Sequence, residues 1–135
     1  MKVAVSSTGR DLESTVDPRF GRCQYFIVVE TETMAFEAIP NTSIGAAHGA
    51  GIQAAQLVSS WGVDIVLTGN VGPNAFTALS AAGVQVLTGA SGMVRDVVEQ
   101  FKRGELHATG SPTVGGHFGS GGRGMGRGRG GRQRT

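Results

Sequence analysis

The chain has 135 residues, with 12 Lys and Arg against 10 Asp and Glu, so its formal net charge is +2. That length suits one compact domain with a real core. The single cysteine, Cys23, excludes an intrachain disulfide framework, a Cys-rich zinc site and an iron–sulfur cluster held by four thiolates of one chain. No apolar run is long enough to cross a membrane, and the N-terminus lacks the pattern of an export signal. We therefore expect a soluble, cytoplasmic protein.

Glycine and positive charge are concentrated at the C-terminus. Residues 110–135 hold 11 of the 23 glycines, and the last 13 residues carry five arginines and no acidic residue. Residues 1–122 consequently have a net charge of −3. The apolar pattern ends near residue 106, and the tail cannot bury enough surface to offset its chain entropy. We predict a folded domain over residues 1–109 and a disordered Gly/Arg-rich tail over residues 110–135.

The first part of the chain predicts three strands. Residues 2–6 form a short apolar run that stops at a turn-forming Ser-Thr-Gly cluster. Residues 24–30 are rich in residues that favour strands, and residues 34–39 alternate between apolar and polar. The last two runs predict a hairpin whose second strand has one solvated face and ends at Pro40.

Helices and strands alternate in the second part of the chain. Apolar spacing predicts helices from Gly49 to Gly62, from Pro73 to Gly83 and from Met93 through Lys102. Buried strands are predicted between them, over residues 63–67 and 84–87. This alternation requires right-handed crossovers and parallel pairing of those strands. The predicted fold class is α/β: a three-layer α/β/α sandwich on a mixed five-stranded sheet, with the antiparallel hairpin at one edge.

Three of the predicted strands end in the same dipeptide, at residues 8–9, 68–69 and 88–89. Ligands of open α/β sheets bind beyond the carboxyl ends of the strands. Small Thr-Gly loops expose N–H groups there, and two of them lead into helix N-termini at Gly72 and Gly92, which favours an anion. The alternative interpretation is that tight turns simply need small residues.

The segment at residues 17–23 brings two guanidiniums and one thiol close together in sequence, on Arg19, Arg22 and Cys23. Ordered arginine-rich loops commonly hold a carboxylate, a phosphate or another planar anion. A salt bridge from either arginine to Asp17 or Asp11 is the alternative role.

A second segment, residues 41–51, could reach the same edge of the sheet. It begins with Asn41 and places His48 directly before a predicted helix. A neutral imidazole there would suit a soft metal, whereas a helix cap or a solvated side chain is the alternative.

The sequence contains no Ser/His/Asp signature, no Walker loop and no Gly-x-Gly-x-x-Gly after the first strand. The spacing of its three histidines matches no zinc pattern. These features favour a binding or carrier protein over an enzyme.

Several motifs together resemble the dinitrogenase iron–molybdenum cofactor biosynthesis family. They are Asp-Pro-Arg-Phe-Gly-Arg-Cys at residues 17–23, Gly-Ala-Gly at residues 49–51 and Gly-Asn-Val-Gly-Pro-Asn-Ala at residues 69–75. The match extends in order and spacing over residues 1–106. The resemblance implies a ribonuclease H-like fold, in agreement with the order of elements above.

The resemblance also implies a cargo, because this family includes carriers of molybdenum–iron–sulfur cofactors and the orange protein, which holds a molybdenum–copper sulfide cluster. Such clusters are anionic, which suits a lining of cations and N–H groups. We therefore expect a molybdenum-containing Mo–Fe–S or Mo–Cu–S cluster, with His48 and Cys23 as candidate metal ligands. The full set of candidate binding residues is Thr8, Gly9, Arg19, Arg22, Cys23, Asn41, His48, Gly49, Gly69, Asn70, Gly72, Gly89 and Gly92.

The family resemblance also implies a partner protein, whereas the composition of the tail suggests a rival function. Members of the family often accompany MinD/Mrp-type P-loop ATPases, so such an ATPase or a cofactor-accepting protein is an expected partner. Gly/Arg repeats bind nucleic acid through charge and guanidinium stacking, which makes a nucleic-acid-binding protein the rival class. The acidic domain has no aromatic RNA-binding motif, so we consider nucleic acid an unlikely main ligand. A ligand-free adaptor is the third possibility.

Overall fold

A computed structural model describes residues 1–45 and 49–114 of the chain. Every strand and helix predicted from the sequence is present there, with shifted ends. The strands are β1 (Lys2–Ser7), β2 (Tyr25–Glu30), β3 (Phe36–Pro40), β4 (Ile65–Leu67) and β5 (Gln85–Leu87). The helices are α1 (Ala50–Ser59), α2 (Pro73–Ala81) and α3 (Val94–Lys102). Within the same residues, no helix has the length and apolar character needed to cross a membrane.

The strands form one mixed sheet in the order β3-β2-β1-β4-β5. β1, β4 and β5 are parallel, with Val5 opposite Leu67 and Leu67 opposite Leu87. β2 pairs antiparallel with both β1 and β3. The predicted α/β class, the parallel pairing and the edge hairpin are therefore confirmed.

β3 begins two residues later than its alternating pattern predicted. Met34 adopts a positive φ of 62° and donates its N–H to the Glu30 carbonyl at 2.7 Å, so it belongs to the turn. The Ala35 carbonyl accepts a hydrogen bond from the Glu30 N–H at 2.8 Å and closes that turn.

Buried apolar residues lie on both faces of the sheet because successive strand side chains point to opposite sides. One cluster includes Ala4 and Val66 with Ala54 of α1 and Leu79 of α2. The other includes residues from the same strands together with residues of α3, among them Val5, Leu67, Val94 and Val97. Residues of α1 and α2 thus belong to the first cluster, and residues of α3 belong to the second.

The loop after β1 is held against two other segments by close backbone contacts. It contains a 3-10 turn over Phe20–Arg22, between the runs that predicted the first two strands. A Cβ on Gly21 would come within 2.9 Å of the Gly51 backbone, and a Cβ on Gly69 would come within 2.6 Å of the Pro18 Cα. The loop can therefore approach both α1 and the end of β4 only because these positions are glycine.

The C-terminal part of the described chain packs against the domain beyond residue 106. Ala108 bridges to Leu87, and the Thr109 N–H donates to the Val86 carbonyl at 2.7 Å. The Thr113 N–H donates to the Val71 carbonyl at 2.8 Å, and the Val71 N–H donates to Thr113 Oγ1 at 2.8 Å. Contacts thus continue through residue 114. Residues 115–135 lie outside the described residues, so the disordered tail stays a prediction.

We expect two truncations to differ in stability because of this contact. Removing residues 110–135 deletes the partners of the buried Val71 backbone groups, whereas removing residues 115–135 keeps them. The free energy of unfolding should be about 1–2 kcal/mol lower for the shorter chain than for the longer one, which corresponds to a Tm lower by roughly 4–10 °C. Thermal denaturation of both proteins measures the difference. Equal Tm values would show that the contacts of residues 110–114 do not stabilise the domain.

Candidate anion-binding site

A cleft of about 580 Å³ lies where α1 and α2 begin. Its walls are residues 18–22, residues 49–52, Asn70 with residues 72–75, and Val114. Among the described residues that line it there is no Asp, Glu, His or Cys. We call this the anion cleft, because its charged side chains are the two guanidiniums of residues 18–22.

Both helices begin at the anion cleft, and no described residue accepts a hydrogen bond from the N–H groups of Ala50, Gly51, Ile52, Asn74 or Ala75. The N–H groups of Gln53 and Phe76 donate to the carbonyls of Gly49 and Gly72, at 2.9 and 3.0 Å. The N–H groups that precede them in each helix have no intrahelical acceptor. These groups and the positive ends of two helix dipoles favour an anion. The first turns of the two helices lie side by side, since a Cβ on Gly51 would be 3.4 Å from the Ala75 Cβ.

Arg19 is oriented by a buried carboxylate. Its Nε and Nη2 donate to the two Asp17 carboxylate oxygens, each at 3.2 Å, and its backbone N–H donates to Asp17 Oδ1 at 2.9 Å. Asp17 is 4% exposed at its side chain and Arg19 is 67% exposed. The salt bridge raised as an alternative is thus present, yet three of the five guanidinium donors of Arg19 stay available for a ligand. Its hydrogen bond to Asp17 also raises the Arg19 pKa.

Arg22 connects the anion cleft to the loop that follows β3. Its Nη1 donates to the Ile44 carbonyl at 3.1 Å, while its exposed side chain lines the cleft. The guanidinium of Arg22 therefore has two roles: it contributes positive charge to the cleft and it holds the loop that follows β3.

Cys23 and Asn41 are buried in the domain, and neither lines the anion cleft. Asn41 Nδ2 donates to the carbonyls of Gly21 and Cys23 at 3.2 and 2.9 Å, and Asn41 Oδ1 accepts from the Ser43 N–H at 3.1 Å. The Cys23 thiol is fully buried and donates to the Phe20 carbonyl at 3.3 Å. Burial raises its pKa to about 12. The sequence placed both residues in the binding site, but the structure gives Asn41 a bracing role and keeps Cys23 a neutral thiol.

The buried thiol should react slowly in the native protein. Thiolate is the nucleophile toward disulfide reagents, and at pH 8 a group with a pKa of about 12 is almost wholly protonated. We expect less than one tenth of Cys23 to react with Ellman's reagent in the time that the protein unfolded in guanidinium reacts completely. Equally fast labelling of native and unfolded protein would contradict this burial.

Most N–H groups of the Thr-Gly pairs at the strand ends are hydrogen-bonded within the fold. The Thr8 N–H donates to the Thr15 carbonyl at 2.9 Å and the Gly9 N–H to Ser7 Oγ at 3.1 Å. The Gly89 N–H donates to the Gly69 carbonyl at 3.0 Å. An anion would compete with these bonds. None of the three Thr-Gly pairs lines the anion cleft, which instead includes Asn70 of the loop after β4.

The N-terminus of α3 is closed in a similar way. The Val94 and Arg95 N–H groups donate to the carbonyls of Ser14 and Leu12, each at 2.8 Å. The Gly92 carbonyl accepts from the Val16 N–H at 2.8 Å. This predicted helix-terminal site is thus occupied by residues 12–16 of the same chain, unlike the N-termini of α1 and α2.

The structure brings together five of the predicted site residues, and these are Arg19, Arg22, Gly49, Asn70 and Gly72. His48 lies outside the described residues, directly before Gly49. Sequence analysis did not assign Asn74 or Val114 to the site. The Pro-Asn pair that opens α2 was a usable signal for Asn74, whereas no local pattern indicates Val114.

The donor set suits a preformed anion better than a bare metal ion. Within residues 1–45 and 49–114, no group of three or more His, Cys, Asp and Glu is placed to hold a metal. Guanidinium and N–H groups are hydrogen-bond donors and bind negative charge.

A family model described as dinitrogenase iron-molybdenum cofactor matches residues 1–104. The chain belongs to this family. The matched range contains every wall of the anion cleft except Val114.

Two solved structures are similar to this chain in sequence and in fold, and a third relative is similar in sequence. The apo orange protein of Desulfovibrio gigas is 44% identical, with a TM-score of 0.81 over 83% of this chain and 95% of that one. A NifB-like protein of Thermotoga is 42% identical, with a TM-score of 0.70 over 79% of this chain and 91% of that one. An uncharacterized protein of Methanocaldococcus jannaschii is 30% identical over 78% of this chain and 89% of its own length.

Proposed function

We propose that this protein is a non-catalytic carrier or assembly protein that binds an anionic molybdenum-containing metal–sulfur cluster, or its precursor, in the anion cleft. The observation that carries the proposal is the convergence of two helix N-termini and two arginines on one cleft, whose described lining residues include no Asp or Glu. Membership in the dinitrogenase iron-molybdenum cofactor family supports the chemical class of the cargo. We further propose a ribonuclease H-like, three-layer arrangement of the domain.

The lining fits a cluster whose charge is spread over sulfides. Sulfide ligands accept hydrogen bonds from N–H groups, and a cleft of about 580 Å³ has room for a group of many atoms. The guanidinium of Arg19 is preorganised by Asp17, so less side-chain entropy is lost when it meets the cargo. The cluster can thus be held without a covalent bond to the chain.

A carrier also fits better than an enzyme. Apart from the arginines and the amides of Asn70 and Asn74, the side chains that line the described cleft are apolar, and glycines complete the wall. Neither a nucleophile nor a general base is among them. A cofactor-accepting protein is the partner that this role requires, whereas a MinD/Mrp-type ATPase partner stays a prediction from the family resemblance alone.

Protein purified without oxygen from its native host tests the proposal. We expect a coloured protein whose elemental analysis gives molybdenum with sulfide and either iron or copper. A colourless protein without molybdenum, whose spectrum does not change when tetrathiomolybdate and copper are added, would instead indicate a ligand-free adaptor.

A further inference from the structure

The two edges of the sheet differ in how the chain covers them. At the β5 edge, the Thr109 N–H donates to the Val86 carbonyl at 2.7 Å and Ala108 bridges to Leu87, so the chain itself pairs with that edge. β3 forms the other edge, and β2 is its only neighbouring strand among the described residues. The described chain thus leaves the β3 edge open.

The open edge of β3 presents a defined set of backbone groups. The Ala35 carbonyl accepts a hydrogen bond from the Glu30 N–H of β2 at 2.8 Å. In an antiparallel ladder every second residue directs its backbone groups at the partner strand, so residues 35, 37 and 39 face β2. Phe36 and Ala38 therefore point their N–H and C=O groups away from the sheet, where an extended peptide can pair with them.

A groove of about 570 Å³ lies along one face of this edge. Ile39 and Trp61 pack against the core cluster that contains residues of α1 and α2, and both line the groove together with Val28. Glu37 also lines it, is exposed, and forms none of the ion pairs within residues 1–45 and 49–114. The groove therefore combines an apolar and aromatic wall with a carboxylate at its rim.

Carboxylates outnumber cationic groups on and beside the groove. The carboxylates are those of Glu30, Glu32, Glu37 and Asp64, and the cationic groups are the Lys2 side chain and the Met1 amine. Glu30 pairs with the Met1 amine at 2.6 Å, and this hydrogen bond raises the pKa of the amine. The local charge therefore favours a basic side chain in any ligand of the groove.

We propose that the β3 edge is a docking site for an extended segment of a partner protein in which basic and apolar residues alternate. The segment adds a strand to the sheet. Its side chains opposite Glu37 and Ile39 enter the groove, where a guanidinium meets the carboxylate and the face of the Trp61 indole. The intervening apolar side chains lie on the opposite face, against Ala38 and Phe36, of which Phe36 is 44% exposed.

Docking at this edge leaves the anion cleft open. The groove includes Trp61, just beyond the end of α1, whereas residues 49–52 at the start of α1 line the anion cleft. The ten residues of the helix separate the two sites by about 15 Å. The proposal therefore does not depend on the cargo of the cleft. A second copy of this chain suits the edge less well, because two paired β3 strands place both Glu37 carboxylates on one face.

Binding of a short, end-capped peptide of alternating arginine and valine to the full chain tests the proposal. Fluorescence anisotropy of the labelled peptide measures Kd. Ala38→Pro removes an N–H that β2 does not use, so we expect it to fold and to raise Kd about tenfold. Ala38→Val keeps that N–H and should leave Kd within about threefold. Thermal denaturation confirms that both variants are folded.

A charge variant tests the basic side chain separately. Glu37→Gln should raise Kd about two- to fivefold, since an exposed ion pair contributes modestly. The matched control, Asp96→Asn, removes the same charge from α3, outside the groove lining, and should change Kd by less than about 1.5-fold. A peptide of the same composition, with its arginines and valines in two separate blocks, should bind the native chain more weakly.

Three results would overturn the proposal. The first is absence of peptide binding by the native chain, and the second is an equal Kd for the native chain, Ala38→Pro and Glu37→Gln. The third is a native dimer that Ala38→Pro converts to a monomer in analytical ultracentrifugation, which would assign the edge to a second copy of the chain. The proposed function would stand in each case, because titration with tetrathiomolybdate tests it independently.

Discussion

Replacing Arg19 and Arg22 together with alanine is expected to weaken tetrathiomolybdate binding by roughly 30- to 100-fold. Charge-assisted hydrogen bonds contribute about 1.5–3 kcal/mol each when they are shielded from water. Because Arg19 is largely exposed, we expect each arginine to contribute only about 1.0–1.4 kcal/mol, which gives the stated fold-change for the pair. The change also leaves the buried Asp17 carboxylate without its guanidinium, which adds negative charge near the cleft. Titration followed by visible absorption measures Kd, and thermal denaturation reports the accompanying loss of stability.

A lysine variant separates the geometry of the two arginines from their charge, and a second variant controls for their position. Lysine at both positions keeps the charge but loses the planar fork, so we expect an intermediate Kd. Alanine at Arg95 and Arg103, whose partners are Glu13 and Glu105, removes two arginines outside the cleft lining. That control should change Kd by less than about threefold. Undiminished binding by the Arg19 and Arg22 alanine variant would restrict both residues to structural roles.

Substitution of Gly69 by alanine should be among the most destabilising single changes in the domain. The new Cβ would lie 2.6 Å from the Pro18 Cα and 2.8 Å from its Cβ, so backbone has to move. The Asn70 N–H bond to the Pro18 carbonyl, 2.8 Å long, resists that movement. We expect a loss of about 2–4 kcal/mol, or roughly 10–20 °C in Tm, together with weaker anion binding because residues 18–22 shift.

A second glycine provides the control for this substitution. A Cβ on Gly110 would meet no atom of a non-neighbouring residue within 4 Å, and the residue has no positive φ. Gly110→Ala should therefore change the free energy of unfolding by less than about 0.5 kcal/mol. Equal Tm values for the two variants would show that the approach of Pro18 to Gly69 does not hold the loop.

The order of elements could be predicted because it depends on local periodicity. The apolar stripe of α3 and the buried runs of β4 and β5 are encoded in consecutive residues, and alternation of strands and helices then favours parallel pairing. Strand ends were less predictable. Met34 continues the alternating pattern of β3, yet its positive φ places it in the turn.

The binding site could be predicted only in part, because availability of an N–H group depends on tertiary contacts. Nothing in residues 92–95 indicates that the carbonyls of Leu12 and Ser14 occupy the start of α3. The same applies to Asn41, which looks like a ligand contact in the sequence and braces the loop in the structure. By contrast, Arg19 and Gly72, whose motifs adjoin strand ends or helix starts, both line the anion cleft.

Amide chemical shifts of the 15N-labelled full chain during titration with tetrathiomolybdate test the central claim most directly. The account predicts 1:1 binding, with the largest shifts at the amides of residues 50–52 and of residues 74 and 75. Amides of residues 8–9 and 89–90 should change little, because their hydrogen bonds lie within the fold. Shifts concentrated in those loops, or absence of binding to the full chain, would contradict the assignment of the anion cleft.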